Sequence, residues 1–177
     1  MQKKVIWIFG LSGAGKTTIA KHISDLLTQQ KIAHILIDGD EIRNTVNKDL
    51  GFSKEDRKEN IRRSAEFAKL VSQQSILCIC SFITPLKSLR DIVREILQEN
   101  VQLFFLDTPL EECIKRDVKG LYAKALKNEI QGFTGISDKF EYPDSELEKD
   151  IIYISTQHKS VAECTKEILD NLKLRIN

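Results

Sequence analysis

The sequence contains no apolar stretch of membrane-spanning length. Its first hydrophobic run, Val5 to Gly10, is six residues long before glycines take over, far short of the roughly 20 needed to cross a bilayer. It is equally short for a secretory leader, so a cytoplasmic protein with no membrane partner is expected. An excess of one charge is also lacking: 27 lysines and arginines face 26 aspartates and glutamates, for a formal charge of +1. That balance gives no general electrostatic reason to bind nucleic acid, although a local basic pocket can still hold a small anion. Cysteines number only four. Cys78 and Cys80 would share one face of a strand, Cys113 and Cys164 stand alone, and no further cysteine or histidine lies near the pair. Buried free thiols are therefore expected rather than a metal or redox site. No internal repeat or low-complexity linker interrupts the 177 residues, a length that suits a single domain over 1–177.

What is present alternates. Short apolar runs at Val5 to Phe9, Ile32 to Ile37, Ile76 to Phe82, Val101 to Leu106 and Ile151 to Ile154 read as strands. Between them, Lys16 to Gln30, Glu55 to Gln74, Lys87 to Glu99 and Ser160 to Leu172 read as helices. Nearly continuous apolar strands separated by helices predict an α/β three-layer domain with a five-stranded parallel sheet. The segment from Pro109 to Asp144 departs from this pattern. After a short helix over Leu110 to Asp117 it becomes lysine-rich, then reads Gly132-Phe133-Thr134-Gly135-Ile136. Such a stretch is either a surface excursion or a lid over a substrate.

The most specific chemical signal is Gly10-Leu11-Ser12-Gly13-Ala14-Gly15-Lys16-Thr17, followed by Thr18. It fits the phosphate-loop pattern G-x-x-x-x-G-K-[ST] and lies where that pattern must lie, after an apolar strand and before a helix. Glycines let backbone N–H groups turn inward around a phosphate, and the helix start adds its positive end. Lys16 can reach the β- and γ-phosphoryl oxygens, and the Thr17 hydroxyl can hold magnesium. The motif by itself reports only nucleoside triphosphate binding. Small size and the absence of an Asn/Thr-Lys-x-Asp guanine motif weigh against a GTPase, and the lack of a long partner domain against a motor.

Further polar groups favour a kinase. Asp38-Gly39-Asp40 puts two carboxylates at the end of the second strand, the ligand-binding edge of such a sheet. The intervening glycine allows a tight turn, so the carboxylates need not alternate in direction. One could serve a metal-bound water and the other could accept the proton of an attacking hydroxyl; a solvated acidic turn is the plainer alternative. Arg43 offers a fork for an acceptor phosphate. Ser53 and Asp56 approximate a helix-capping box, and behind it Arg57 and Asn60 share a helix face. Phe52 and Phe133, both in glycine-flanked irregular segments, are either local anchors or rings that sandwich a planar base.

These motifs together resemble the adenylylsulfate kinase family over essentially the whole length. The resemblance rests on Gly10 to Thr18, Asp38-Gly39-Asp40, Asp49-Leu50-Gly51-Phe52-Ser53, Asp56-Arg57 with Asn60-Ile61-Arg62-Arg63, Asp107-Thr108-Pro109, Arg116 to Tyr122, and Gly132 to Ile136. The last two are far more specific than the phosphate loop. The resemblance implies a homodimeric P-loop kinase that uses ATP with Mg2+ and phosphorylates the 3′-hydroxyl of adenosine 5′-phosphosulfate, a small-molecule nucleotide acceptor. It implies Asp40 as the catalytic carboxylate with Lys16, and Asp38 supporting magnesium beside Thr17. It also implies Arg43, Arg57, Asn60 and the Phe82-Ile83-Thr84 strand end on the acceptor, and Phe52 and Phe133 around its base. Lys119 would approach from a lid over 116–136, and Arg116 would lie over the ATP adenine.

Some positions differ from the family. Glu41 stands where the family usually has Asn, and Phe82-Ile83-Thr84-Pro85-Leu86-Lys87 stands for Phe-Ile-Ser-Pro-Tyr-Arg. Thr84 keeps a hydroxyl where the family has a serine sometimes described as a phosphorylated intermediate; in-line transfer from ATP requires no such intermediate. Lys87 lacks the rigid bidentate fork of arginine. A 3′-hydroxyl kinase for another modified nucleotide, such as cytidine diphosphoramidate, and a non-catalytic nucleotide-binding module remain as alternatives at this stage.

Overall fold

The computed structural model describes residues 3–173. Five strands, β1 (Val5–Phe9), β2 (His34–Asp38), β3 (Leu77–Phe82), β4 (Val101–Asp107) and β5 (Ile151–Ser155), form one sheet in the order β2-β3-β1-β4-β5. All neighbours are parallel. The α/β class and the five strands expected from the apolar runs are therefore observed, with boundaries within two residues. β1 is fully buried along its length, as a central strand covered on both faces must be.

The longer helices supply the cover. Helix α1 (Lys16–Gln29) buries Ile19, Ala20, Ile23 and Leu27, a stripe at three- and four-residue spacing, and packs beside α7 (Val161–Asn171). Helices α3 (Lys54–Gln73) and α4 (Lys87–Leu97) pack against each other on the other side. Leu89, Val93 and Leu97 bring the apolar stripe of α4 inward. Ser53 caps α3 by accepting from the Asp56 amide at 3.0 Å, and returns its hydroxyl to the Asp56 carboxylate at 2.8 Å.

Of three short α-helices among the described residues, two were not anticipated. Helix α5 (Leu110–Arg116) matches the expected short helix, but α2 (Gly39–Asn44) and α6 (Leu121–Leu126) lie where a turn and a lysine-rich excursion were expected. Each is only six residues long, too short for periodicity to declare itself. Behind the sheet, Arg90 of α4 makes a two-pronged bond to Glu148 at 2.9 and 2.6 Å, both side chains almost fully buried. That pair ties α4 to the segment leading into β5. The four cysteines are buried free thiols, and burial pushes Cys78 up to about 11.

Candidate active site

The carboxyl ends of β1, β2 and β3 converge on one edge, where Asp38 lies across from Ser81 and Phe9 from Phe82. The strand order reverses around β1, which opens a crevice of the kind that binds ligands in α/β sheets. The loop from Gly10 to Gly15 fills it. Gly13 has φ 75°, and a Cβ there would sit 3.1 Å from the Cys113 carbonyl. Gly15, at φ 99°, turns the chain into α1, so the loop needs glycine at both positions. Ala14 closes the turn through its N–H to the Leu11 carbonyl at 3.2 Å.

Lys16 opens α1 and donates to the Leu11 carbonyl at 2.7 Å, folding back across the loop. Burial pushes its ammonium down to about 8, opposed by Cys113, Asp40 and Asp38. Thr17 donates its hydroxyl to Asp38 at 2.7 Å. The other oxygen of Asp38 accepts from the Asp40 amide at 3.0 Å, which caps α2. Two hard oxygen donors thus touch beside the phosphate loop. Magnesium prefers such a set, because it keeps most of its shell for phosphate and water and takes only one or two protein oxygens. Thr18 faces outward and lines an open hollow of about 360 Å³ with Lys21, His22 and Val161.

The turn between the carboxylates is built differently from expectation. Gly39 is the first residue of a helix rather than a left-handed turn. Glycine is required there for space: a Cβ would meet the Phe82 ring at 3.0 Å and the Ser81 carbonyl at 3.1 Å. Asp38 is consequently buried as a cap, while Asp40 projects outward into an ion pair with Lys119. The two carboxylates thus face different groups, Asp38 the Thr17 hydroxyl and Asp40 the Lys119 ammonium.

On the acceptor side, Arg43 stacks over the Phe52 ring at 4.8 Å and donates to the Gly51 carbonyl at 2.8 Å. Burial and the nearby charge of Arg57 push its guanidinium pKa down, so two arginines crowd one locality that suits an anion. Arg57 bonds the Phe52 carbonyl at 3.0 Å, the Thr134 hydroxyl at 3.0 Å and the Gly132 carbonyl, and pairs with Asp138 at 3.1 Å. One guanidinium therefore holds together the two segments that carry Phe52 and Phe133. Phe52 is 72% exposed, whereas Phe133 meets Tyr122 edge-on with centroids 5.0 Å apart.

Other expected residues are placed less directly. Asn60 is buried, its side-chain oxygen accepting from Asn47 at 3.0 Å. Arg116 bonds Glu112 at 3.3 Å on its own helix. Phe82 stacks on Trp7 at 4.8 Å, Ile83 accepts from the Gly10 amide at 3.3 Å, and Thr84 bonds the Trp7 indole at 3.0 Å. Trp7, Asn47 and Tyr122 were not singled out from sequence. Trp7 reads as ordinary strand core, and Tyr122 is marked only as the last residue of the motif Arg116 to Tyr122.

The defining pattern of adenylylsulphate kinases matches residues 2–150. The chain belongs to the adenylylsulphate kinase family. The adenylyl-sulfate kinase of Halothermothrix orenii is 44% identical over 95% of this chain and 88% of its own length. The bifunctional enzyme NodQ of Rhizobium meliloti is 44% identical over 94% of this chain, which spans only 26% of that longer protein. Among solved structures, the Mycobacterium tuberculosis APS kinase CysC in complex with AMPPNP and APS superposes with a TM-score of 0.90. Identity is 36%, covering 97% of this chain and 98% of that one. As an adenylylsulphate kinase the chain is an ATP-dependent phosphotransferase, and no helix among the described residues is long and apolar enough to cross a membrane.

Proposed function

We propose that the enzyme transfers the γ-phosphoryl group of Mg-ATP to the 3′-hydroxyl of adenosine 5′-phosphosulfate, giving 3′-phosphoadenosine 5′-phosphosulfate and ADP. The observation that carries this reading is the adjacency of two half-sites. A phosphate loop with Lys16, Thr17 and Asp38 borders an Asp40 paired with Lys119, on the same short helix as Arg43, whose guanidinium lies over the Phe52 ring. A relative of 0.90 TM-score binds AMPPNP and APS together, which supports the same pair of ligands here.

In this reading Gly10, Ser12, Gly13, Ala14 and Gly15 wrap the ATP phosphates with backbone N–H groups, and Lys16 neutralises the β- and γ-oxygens. Thr17 and Asp38 would hold magnesium, which would supply further positive charge beside the phosphoryl oxygens. Thr18 and Arg116 border the nucleoside of ATP. Arg43 and Arg57 attract the anionic end of the acceptor, Phe52 and Phe133 enclose its base, and the backbone after β3 completes the wall, with the buried side chains of Asn60, Phe82 and Thr84 and the Ile83 carbonyl positioning it from behind. Asp40 orients the 3′-hydroxyl and takes its proton as the bond to phosphorus forms. Lys119, already on Asp40, swings to the transferring charge as the 116–136 lid closes.

The departures from the family pattern leave this chemistry in place. Lys87 spends its charge on Asp91 at 2.7 Å along the exposed flank of α4, and Glu41 is exposed on α2. Leu86 lines a hollow of about 250 Å³ with Lys54, Arg57 and Pro85, which leaves the arginine fork at Arg57. One kinase domain with an internal lid, a cytoplasmic location and a homodimer complete the proposal. A homodimer is checked by sedimentation at about twice the 20.3 kDa of one chain. The activity is tested by ADP release with Mg-ATP: release that depends on added adenosine 5′-phosphosulfate supports the reading, and release indifferent to it removes the acceptor assignment.

A further inference from the structure

Thr84 combines two observations that ordinary core packing does not require. It is a β-branched residue at φ 43°, in the left-handed region where a side chain of this type is an outlier. It is also 1% exposed, with its hydroxyl accepting from the Trp7 indole N–H at 3.0 Å. Strained backbone of this kind persists only where surrounding contacts over-determine it, and it concentrates at functional sites. Here those contacts are visible. The carbonyl on one side, Ile83, is held by the Gly10 amide at 3.3 Å, and the carbonyl on the other, Pro85, by the Glu141 amide at 2.8 Å.

The same indole reaches the catalytic turn by a second route. Trp7 stacks on Phe82 with ring planes 14° apart, and Phe82 is the ring against which Gly39 fits between Asp38 and Asp40. The loop after β3 therefore lies between the carboxylate turn and the hollow lined by Arg57, Pro85 and Leu86.

We propose that Trp7 and Thr84 form a positioning pair: the indole N–H holds the Thr84 hydroxyl so that the strained Ile83–Pro85 backbone shapes the acceptor wall. The inference rests on the acceptor reading above. It also assigns the hydroxyl at this position a structural duty. A group that is buried and already bonded to an indole is closed to a phosphoryl donor, so Thr84 carries no phosphate during turnover.

The test uses the full chain, whose single tryptophan makes indole emission specific to Trp7. Thr84→Val removes the acceptor oxygen at nearly constant volume, Thr84→Ser restores it, and Trp7→Phe removes the donor. The expected result is a rise of about ten-fold in KM for adenosine 5′-phosphosulfate in Thr84→Val, set by a buried indole N–H left unpaired. KM for ATP should move less than about two-fold, because Lys16, Thr17 and Asp38 hold the phosphate side through bonds that Thr84 does not share. Trp7→Phe should match Thr84→Val, and the double variant should be no worse than either, as expected of groups acting through one contact. Thr84→Ser should keep both the kinetics and the emission maximum of the parent, while Thr84→Val shifts the emission.

Equal changes in the two KM values, or an unchanged acceptor KM in Thr84→Val, would overturn the pair, as would stoichiometric phosphothreonine at position 84 after incubation with ATP. The acceptor reading fails separately. If the parent does not turn over adenosine 5′-phosphosulfate, that reading falls, and the pair is then judged on emission, which must shift in Thr84→Val and not in Thr84→Ser.

Discussion

The hydroxyl of Tyr122 donates to the backbone carbonyl of Ser12 at 2.9 Å. Helix α6 is thereby fastened to the phosphate loop, while the same ring meets Phe133 edge-on. The phosphate loop and the segment that carries Phe133 share this one buried phenol. Replacing it by phenylalanine keeps the ring contact and leaves the Ser12 carbonyl without its donor. Tyr122→Phe should raise KM for ATP by roughly three- to ten-fold and cost about 1 kcal/mol of stability, measured by steady-state kinetics and denaturant unfolding.

Lys119 and Asp40 present the opposite case, because their ion pair is exposed on both sides. Exposed pairs contribute little to stability. Lys119→Met should leave the unfolding midpoint within about 1 °C of the parent, since surface changes are nearly neutral. The same variant should lower kcat/KM by at least about ten-fold if Lys119 meets transition-state charge. Thermal melts set beside kinetics separate the two effects.

The free enzyme holds Lys16 at about 8 because burial disfavours its charged form. Bound phosphate favours the charged form, so ATP binding takes up a proton where Lys16 is neutral. Affinity should be level below about pH 8 and fall towards a limit of about ten-fold per pH unit above it. Titration calorimetry across that range in two buffers of different ionisation enthalpy should show the proton uptake, and Lys16→Met should abolish it.

At the opposite side of the sheet, burial alone would raise the Glu148 carboxyl, but bonds from Arg90 and Arg94 outweigh it and hold the group down to about 2. A carboxyl lowered on folding adds stability that is complete above its ordinary value of 4.5 and is lost as pH falls from there towards about 2. Acid unfolding followed by circular dichroism should show that loss. Glu148→Gln leaves Arg90 buried and uncompensated, and should cost about 3–5 kcal/mol at neutral pH.

How far the sequence foretold this molecule differs between the frame and the site. Continuous apolar runs such as Val5 to Phe9 were legible as buried parallel strands because burial on both faces leaves no polar position. The phosphate loop was legible because strand, glycines and helix must follow in that order. Asp38 and Asp40 were found at the correct edge, but for the wrong backbone reason: proximity of Gly39 to Phe82, 43 residues away, has no local signature. Arg57 looked like a ligand fork, and its bonds to Gly132, Thr134 and Asp138 depend on how a distant lid returns to α3. Asn47 and Tyr122 act through long-range partners, Asn60 and Ser12, so nothing in the sequence around Asn47 sets it apart, and the motif that ends at Tyr122 does not show which partner its hydroxyl meets.

The reaction proposed for this enzyme is a 3′-phosphoryl transfer at Asp40 beside the phosphate loop. The most direct measurement is ³¹P NMR of the product formed from Mg-ATP and adenosine 5′-phosphosulfate, run beside a panel of modified cytidine nucleotides. The account predicts a new phosphomonoester on the 3′-oxygen of adenosine 5′-phosphosulfate with stoichiometric ADP, abolished by Lys16→Ala and lowered at least about a hundred-fold by Asp40→Asn. A phosphate on a cytidine nucleotide instead, or an undiminished signal in Lys16→Ala, would contradict it.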